Sequence, residues 1–259
     1  MSLIENKKIP KIIHQTWKTK NIPKEFQPFC KKIKIIFKDF EYILWTDEDN
    51  RNFIKEKFGW FLPIYDGYKK NIERVDAVRY FILYEYGGIY MDLDYMVRTN
   101  FYNELVPNKI NLVESYFLKG CVSNFLMASP PKLNLWKKVF HRLVLCRNKT
   151  HTLHSTGPFM ITDSLLDEDI NMLPFQKYNP PNPNICVLYK LFWFKIFGKK
   201  NIFSFWETSY GNHYNVETWK KAEILSFLAR YQIIIWLLVL LILIKFVYRR
   251  YHKKNYTIV

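Results

Sequence analysis

The run Arg74-Val-Asp-Ala-Val-Arg-Tyr-Phe-Ile-Leu-Tyr-Glu-Tyr-Gly-Gly-Ile-Tyr-Met-Asp-Leu-Asp94 places a charged helix, a double glycine and a strand ending in two carboxylates in direct succession. Apolar side chains at Ile72, Val75, Val78, Ile82 and Tyr86 follow the i, i+3, i+4 spacing of a helix that buries one stripe. Gly87-Gly88 ends that helix, because glycine takes a positive φ without a Cβ clash. Ile89, Met91 and Leu93 then alternate with Tyr90, Asp92 and Asp94, so a strand here projects both carboxylates from one face. Two acids this close repel unless a cation lies between them, and hard oxygen ligands favour Mg²⁺ or Mn²⁺, which favour phosphate oxygens in turn. Asp76, Arg79, Tyr80 and Leu83 share a helix surface beside the apolar stripe, so Asp76 and Arg79 can face the same cavity as the aspartates. The plainer expectations are a solvated strand end for Asp-x-Asp and an exposed ion pair for Asp76 and Arg79, contributing about 0.2–0.5 kcal/mol.

Further words extend the pattern. Ile9-Pro-Lys-Ile-Ile-His-Gln-Thr-Trp17 and Leu44-Trp-Thr-Asp47 precede the helix, and Thr156-Gly-Pro158 and His213-Tyr-Asn-Val-Glu-Thr-Trp219 follow it. Taken in order, over roughly residues 9 to 220, these words resemble the DXD-type glycosyltransferases, a group that includes the inositol phosphoceramide mannosyltransferases. Thr218 stands where that group usually has Ser. The resemblance implies transfer of a hexose from a nucleotide-sugar donor to a glycan or glycolipid, with retention of configuration. It implies that Asp94, with Asp92 directly or through water, holds a divalent cation, Mn²⁺ or Mg²⁺, that neutralises the departing diphosphate. Asp76 and Arg79 then correspond to the donor-contacting pair, His213 to a residue approaching the metal or diphosphate from the C-terminal side, and Trp17 to the aromatic near the base. Core packing is the equal alternative for Trp17.

Short buried strands at Lys11 to His14 and Tyr42 to Trp45, the capping box Thr46-Asp-Glu-Asp49 and an amphipathic helix over Leu133 to Leu143 give an α/β alternation. His151 to Pro158 and the Pro- and Asn-rich Lys177 to Pro183 read as loops, the latter a candidate border of an acceptor cleft. The expected fold is a GT-A-like Rossmann-type sheet flanked by helices, with the aspartates at a strand's carboxyl end, where open α/β sheets place ligands. One catalytic domain over residues 1–222 suits a chain of 259 residues.

The uninterrupted run Ile233 to Ile244, extended outward to Phe227 and Tyr248, reaches roughly the twenty residues that cross a bilayer core. Residues 227–248 are thus expected to form one transmembrane helix, and 249–259 a short basic tail. Cationic residues flank the run on both sides, with a slight excess toward a cytosolic tail, and Met1 to Pro10 lacks the apolar stretch of a signal peptide. This points to a single-pass protein of an endomembrane system or of a viral or host membrane, the side of the catalytic domain left open. A formal charge of +16 with scattered lysines and no nucleic-acid motif favours a negatively charged membrane surface as partner and no nucleic acid. Cys30, Cys121, Cys146 and Cys186 form no Cys-x-x-Cys pair, so neither a zinc site nor a disulfide framework is expected. Asn148-Lys-Thr150 and Asn255-Tyr-Thr257 match the glycosylation acceptor pattern. Two other classes compete with the transferase: a haloacid-dehalogenase-like phosphatase, with the first Asp as nucleophile, and an inactive membrane-anchored binding module. Met96 stands where the phosphatase motif wants Thr or Val.

Overall fold

The computed structural model describes residues 8–115, 119–180, 209–213 and 245. The chain divides after Tyr214 into two compact units, and of the second only Lys245 is described. Apart from Lys245, the expected span 227–248, the boundary near 222 and the basic tail therefore lie outside the described residues. Among the described residues, no helix is long and apolar enough to cross a membrane.

The first unit leads with β1 (Ile12–Thr16), α1 (Gln27–Ile36), β2 (Glu41–Trp45) and α2 (Asp47–Lys57). After α3 (Leu62–Gly67) and α4 (Asn71–Tyr86) come β3 (Gly88–Met91), β4 (Tyr95–Val97), β5 (Asn111–Glu114) and β6 (Val122–Ser129). Helices α5 (Trp136–Cys146), α6 (Thr152–Ser155) and α7 (Pro158–Ser164) precede β7 (Asn171–Leu173), α8 (Phe175–Tyr178) and β8 (Gly211–His213). The six-stranded sheet has the order β2-β1-β3-β6-β5-β7, and β4 pairs with β8 in a separate ribbon.

The sheet departs from the Rossmann-type expectation. Strands β2, β1 and β3 run parallel, but β6 is antiparallel to both β3 and β5, so the sheet is mixed. The α/β reading holds with that correction. Strand alternation places Ile89, Met91, Leu126 and Ala128 in one core cluster, and Tyr90 and Met127 in the cluster on the opposite face. The capping box at Thr46 forms as expected, its hydroxyl accepting from the Asp49 amide while the Asp49 carboxylate accepts from the Thr46 amide.

Helix α4 does not bury a single stripe. Ala77 to Leu83 are buried without a break, whereas Ile72 and Val75 are half-buried and Tyr86 is exposed at its rim. The helix packs against α2, α3, α5, α6 and the sheet, and a helix enclosed on all sides has no polar face to alternate with. Asp76 and Arg79 are consequently interior residues, not a surface pair. Gly87 (φ 66°) and Gly88 (φ 91°) end α4 in backbone that only glycine adopts easily. A Cβ on Gly87 would lie 2.7 Å from the Pro131 ring, and one on Gly88 would lie 2.7 Å from the Ile12 carbonyl oxygen. The segment expected as a loop from His151 to Pro158 contains α6, and that from Lys177 begins within α8.

Candidate active site

Strand β3 ends at Met91, so Asp92 and Asp94 sit in the turn beyond its carboxyl end and not on the strand itself. The Asp92 amide donates to the Phe125 carbonyl on β6 (2.8 Å), and the Tyr95 amide donates to the Asp92 carbonyl (3.1 Å), closing the turn into β4. Leu93 points the other way, into an apolar cluster with Phe26 and Cys30. Trp17 packs on that cluster, its ring edge-on to Phe26 at 5.4 Å, and stays half-buried. Of the two expectations for Trp17, the packing is what the structure shows, against the cluster that contains Leu93 of the aspartate turn.

Strand β8 brings in His213. Its Nε2 lies 2.8 Å from Asp94 Oδ1 and 3.5 Å from Asp92 Oδ2. One ligand atom from each of Asp92, Asp94 and His213 falls within a 4.8 Å group. The ring stacks on Phe125 (centroids 4.6 Å apart), and the His213 amide donates to Asn179 Oδ1 at 2.9 Å, which fixes the strand that carries it. Burial opposes the charged imidazole, but the hydrogen bonds to Asp92 and Asp94 override it and raise the His213 pKa to about 10. A cation that displaces the His213 proton would meet two carboxylates and one neutral imidazole nitrogen, a donor set that fits a divalent transition metal.

Behind the triad lies a second charged layer. The Arg79 guanidinium is buried, 3.0 Å from Asp76 Oδ1 and 3.2 Å from Asp92 Oδ1; it donates to the Asn124 carbonyl (2.9 Å) and lies over the Tyr90 ring (4.6 Å). One cation is thus shared between two acids. Burial alone would raise the Asp92 pKa, but the Arg79 charge and the His213 and Tyr90 hydrogen bonds hold it below the usual carboxylate value. Asp76 has less support. Burial, reinforced by repulsion from Asp92, pushes it up to about 6 despite Arg79 and the hydrogen bonds from Thr156 and Asn124. Burial also disfavours the charge on Arg79, but Asp92, Tyr90 and Asp76 outweigh it and keep the guanidinium protonated.

The Thr156-Gly-Pro158 element docks on α4 through residues one turn apart. Ser155 Oγ donates to Glu73 (3.0 Å), Thr156 Oγ1 to Asp76 (3.3 Å), and Tyr80 Oη donates to the Thr156 carbonyl (2.8 Å). Sequence reasoning brought out Asp76, Arg79, Asp92, Asp94 and His213, which the structure brings together, but missed Asn124 and Tyr90. A polar Asn inside the apolar run Val122 to Ser129 was the available signal for the first. For Tyr90, whose hydroxyl donates to Asp92 Oδ1 at 2.9 Å, the signal was the alternation that puts it on one strand face with the aspartates. In the phosphatase alternative Asp92 would have to attack through Oδ2, since Arg79 and Tyr90 engage Oδ1.

The family described as glycosyltransferase sugar-binding region containing DXD motif matches residues 23–113. An uncharacterized glycosyltransferase of Acanthamoeba polyphaga mimivirus is 33% identical over 184 residues, covering 67% of this chain and 68% of that protein. This chain belongs to the DXD-motif glycosyltransferase family. Inositol phosphoceramide mannosyltransferase 3 of Schizosaccharomyces pombe is 59% identical over 86 residues, 33% of this family member and 24% of the yeast protein, so the chain spans about a quarter of that relative's length. Among solved structures, the PaToxG glycosyltransferase aligns with 21% identity and a TM-score of 0.48, covering 61% of this chain and 69% of that one.

Proposed function

We propose that this protein is a metal-dependent glycosyltransferase of GT-A type that moves a hexose from a nucleotide sugar to a glycan or glycolipid with retention of configuration. The named yeast relatives favour mannose as the sugar and an inositol phosphoceramide as the acceptor class. The observation that carries the reading is the convergence of Asp92, Asp94 and His213 directly above the buried Arg79–Asp76 pair.

In this reading Asp92, Asp94 and His213 hold a divalent cation, Mn²⁺ by donor chemistry, which when bound neutralises charge developing on the nucleoside diphosphate. Arg79, locked by Asp76, Asp92 and the Asn124 carbonyl, supplies a fixed positive charge beside the scissile bond with no reorganisation during reaction. Asp76 accepts hydrogen bonds from donor hydroxyls, and its tether to Thr156 keeps the carboxylate from rotating away. Trp17 offers an aromatic face at the rim for the base. Residues 227–248 form the single membrane span in this reading, which holds the enzyme at an endomembrane or viral or host membrane close to a lipid acceptor.

The test is hydrolysis of a panel of nucleotide sugars by the purified protein with and without Mn²⁺. Asp94→Asn is expected to abolish the metal-dependent rate while leaving the fold intact, since an amide cannot replace a carboxylate on the cation. Full activity in Asp94→Asn refutes the metal site. Absence of turnover in the wild type with every donor and acceptor returns the protein to the inactive binding module.

A further inference from the structure

The β1–β3 pairing reaches His14↔Tyr90 and stops, so the main-chain ladder on that side does not extend to Met91 or Asp92. The fully buried side chain of Gln15 takes its place. Gln15 Nε2 donates to the Asp92 carbonyl (3.2 Å) and lies 3.4 Å from that of Met91, while its Oε1 accepts from the Tyr42 hydroxyl (2.7 Å) on β2. Both carbonyls are acceptors only, so the amide is oriented with nitrogen toward the aspartate turn and oxygen toward Tyr42. Tyr42 is itself held, with the Lys34 ammonium 4.2 Å above its ring and the Cys30 thiol against its hydroxyl. On the opposite side, the Asp92 amide is bonded to β6 through the Phe125 carbonyl. Asp92 is thus clamped between a main-chain ladder on one flank and a side-chain substitute for one on the other.

We propose that Gln15 is a positioning residue for the Asp92–Asp94 turn and that Tyr42 is its orienting partner. Together they set the spacing at which the two carboxylates meet a cation. The inference rests on the metal reading above and extends it to two residues on strands that carry no ligand.

The experiment measures Mn²⁺ binding to the full-length protein by the electron paramagnetic resonance signal of the free ion, together with the Mn²⁺ dependence of donor hydrolysis. Gln15→Met keeps length and volume but removes the donor and acceptor, and is expected to raise the Mn²⁺ dissociation constant about 10-fold or more, in the range typical of residues supporting metal ligands. Tyr42→Phe removes one hydroxyl from a half-buried edge-strand position, is expected to shift the constant in the same direction by a smaller factor, and carries the test if Gln15→Met does not fold. In both variants saturating Mn²⁺ restores kcat. A role in folding alone would lower kcat and leave the Mn²⁺ midpoint in place, and that result overturns the proposal. Wild-type protein that binds no Mn²⁺ overturns the metal reading and this inference with it, whereas tight binding in wild type and both variants overturns this inference alone.

Discussion

Replacing Asp76 by Asn separates stability from function at one atom. The wild-type carboxyl shares Arg79 with Asp92 and is pushed by burial from an ordinary 3.8 to about 6. A carboxyl whose folded pKa is raised favours the folded state fully below its unfolded pKa, and that contribution is lost as pH rises through the folded value. At about 1.4 kcal/mol per pH unit, the displacement corresponds to roughly 3 kcal/mol of stability, lost between about pH 4 and just above pH 6. Asn cannot ionise and so escapes the loss. Its oxygen can still accept from Arg79 and Asn124, and its nitrogen can donate to Thr156 Oγ1 in place of the bond that Asp76 accepts. Urea unfolding of both proteins at pH 4, 5, 6, 7 and 8 measures the difference, other titrating groups cancelling between them. The variant is expected to gain about 3 kcal/mol relative to wild type from pH 4 to pH 8, while donor hydrolysis collapses at every pH. Parallel stability profiles would refute the claim that Asp76 is a strained, functionally retained acid.

Arg79→Lys keeps a charge but cannot bridge Asp76, Asp92 and the Asn124 carbonyl together, so kcat should fall about 100-fold or more, checked by steady-state hydrolysis. Arg79→Met leaves the buried Asp76 and the half-buried Asp92 without their shared partner and should cost about 3 kcal/mol at neutral pH in denaturant titration. Gly88→Ala puts a Cβ within 2.7 Å of the Ile12 carbonyl at φ 91°, so the protein should accumulate poorly and melt at lower temperature, seen by circular dichroism. His14, buried and held to about 4 chiefly by burial, with its hydrogen bond to the Gly87 carbonyl opposing, is a depressed base. Its contribution is present above the unfolded pKa of 6.5 and is lost as pH falls toward 4; His14→Gln should flatten that part of the acid-unfolding curve.

Local chemistry made part of this architecture legible. The capping box at Thr46 and the glycines after Tyr86 act within a turn or two of chain and formed where their residues stand, and the apolar spacing of Leu133 to Leu143 gave a helix whose observed bounds, Trp136–Cys146, lie three residues later. The aspartate turn, its neighbours on α4 and His213 were legible as ordered words. The antiparallel strands β5 and β6 were not, because a short apolar run such as Phe125 to Ala128 reads equally as strand or buried helix until its partners are known. Gln15 was invisible for a related reason: its hydrogen bonds run between strands, to the Asp92 carbonyl and to Tyr42, and no local period encodes a cross-strand contact. The single-stripe reading of α4 failed because Glu73, Asp76 and Arg79 are turned inward onto polar partners.

Among the described residues the β4–β8 ribbon pairs Tyr95↔His213, Met96↔Asn212 and Val97↔Gly211, continued by the Arg98 amide donating to the Tyr210 carbonyl, and it forms a sheet separate from the six-stranded one. So short a pairing can open without dissolving the main sheet, because local openings need break only the contacts they contain. Each opening would carry the imidazole away from both aspartates and leave Arg79, Asp76 and the rest of the interior in place. In amide hydrogen exchange, Gly211 and His213 should therefore lose their protons well before Ile89 and Tyr90. Added Mn²⁺ should slow the first pair selectively, and the free energy recovered from that slowing would measure how firmly the ion staples the ribbon shut.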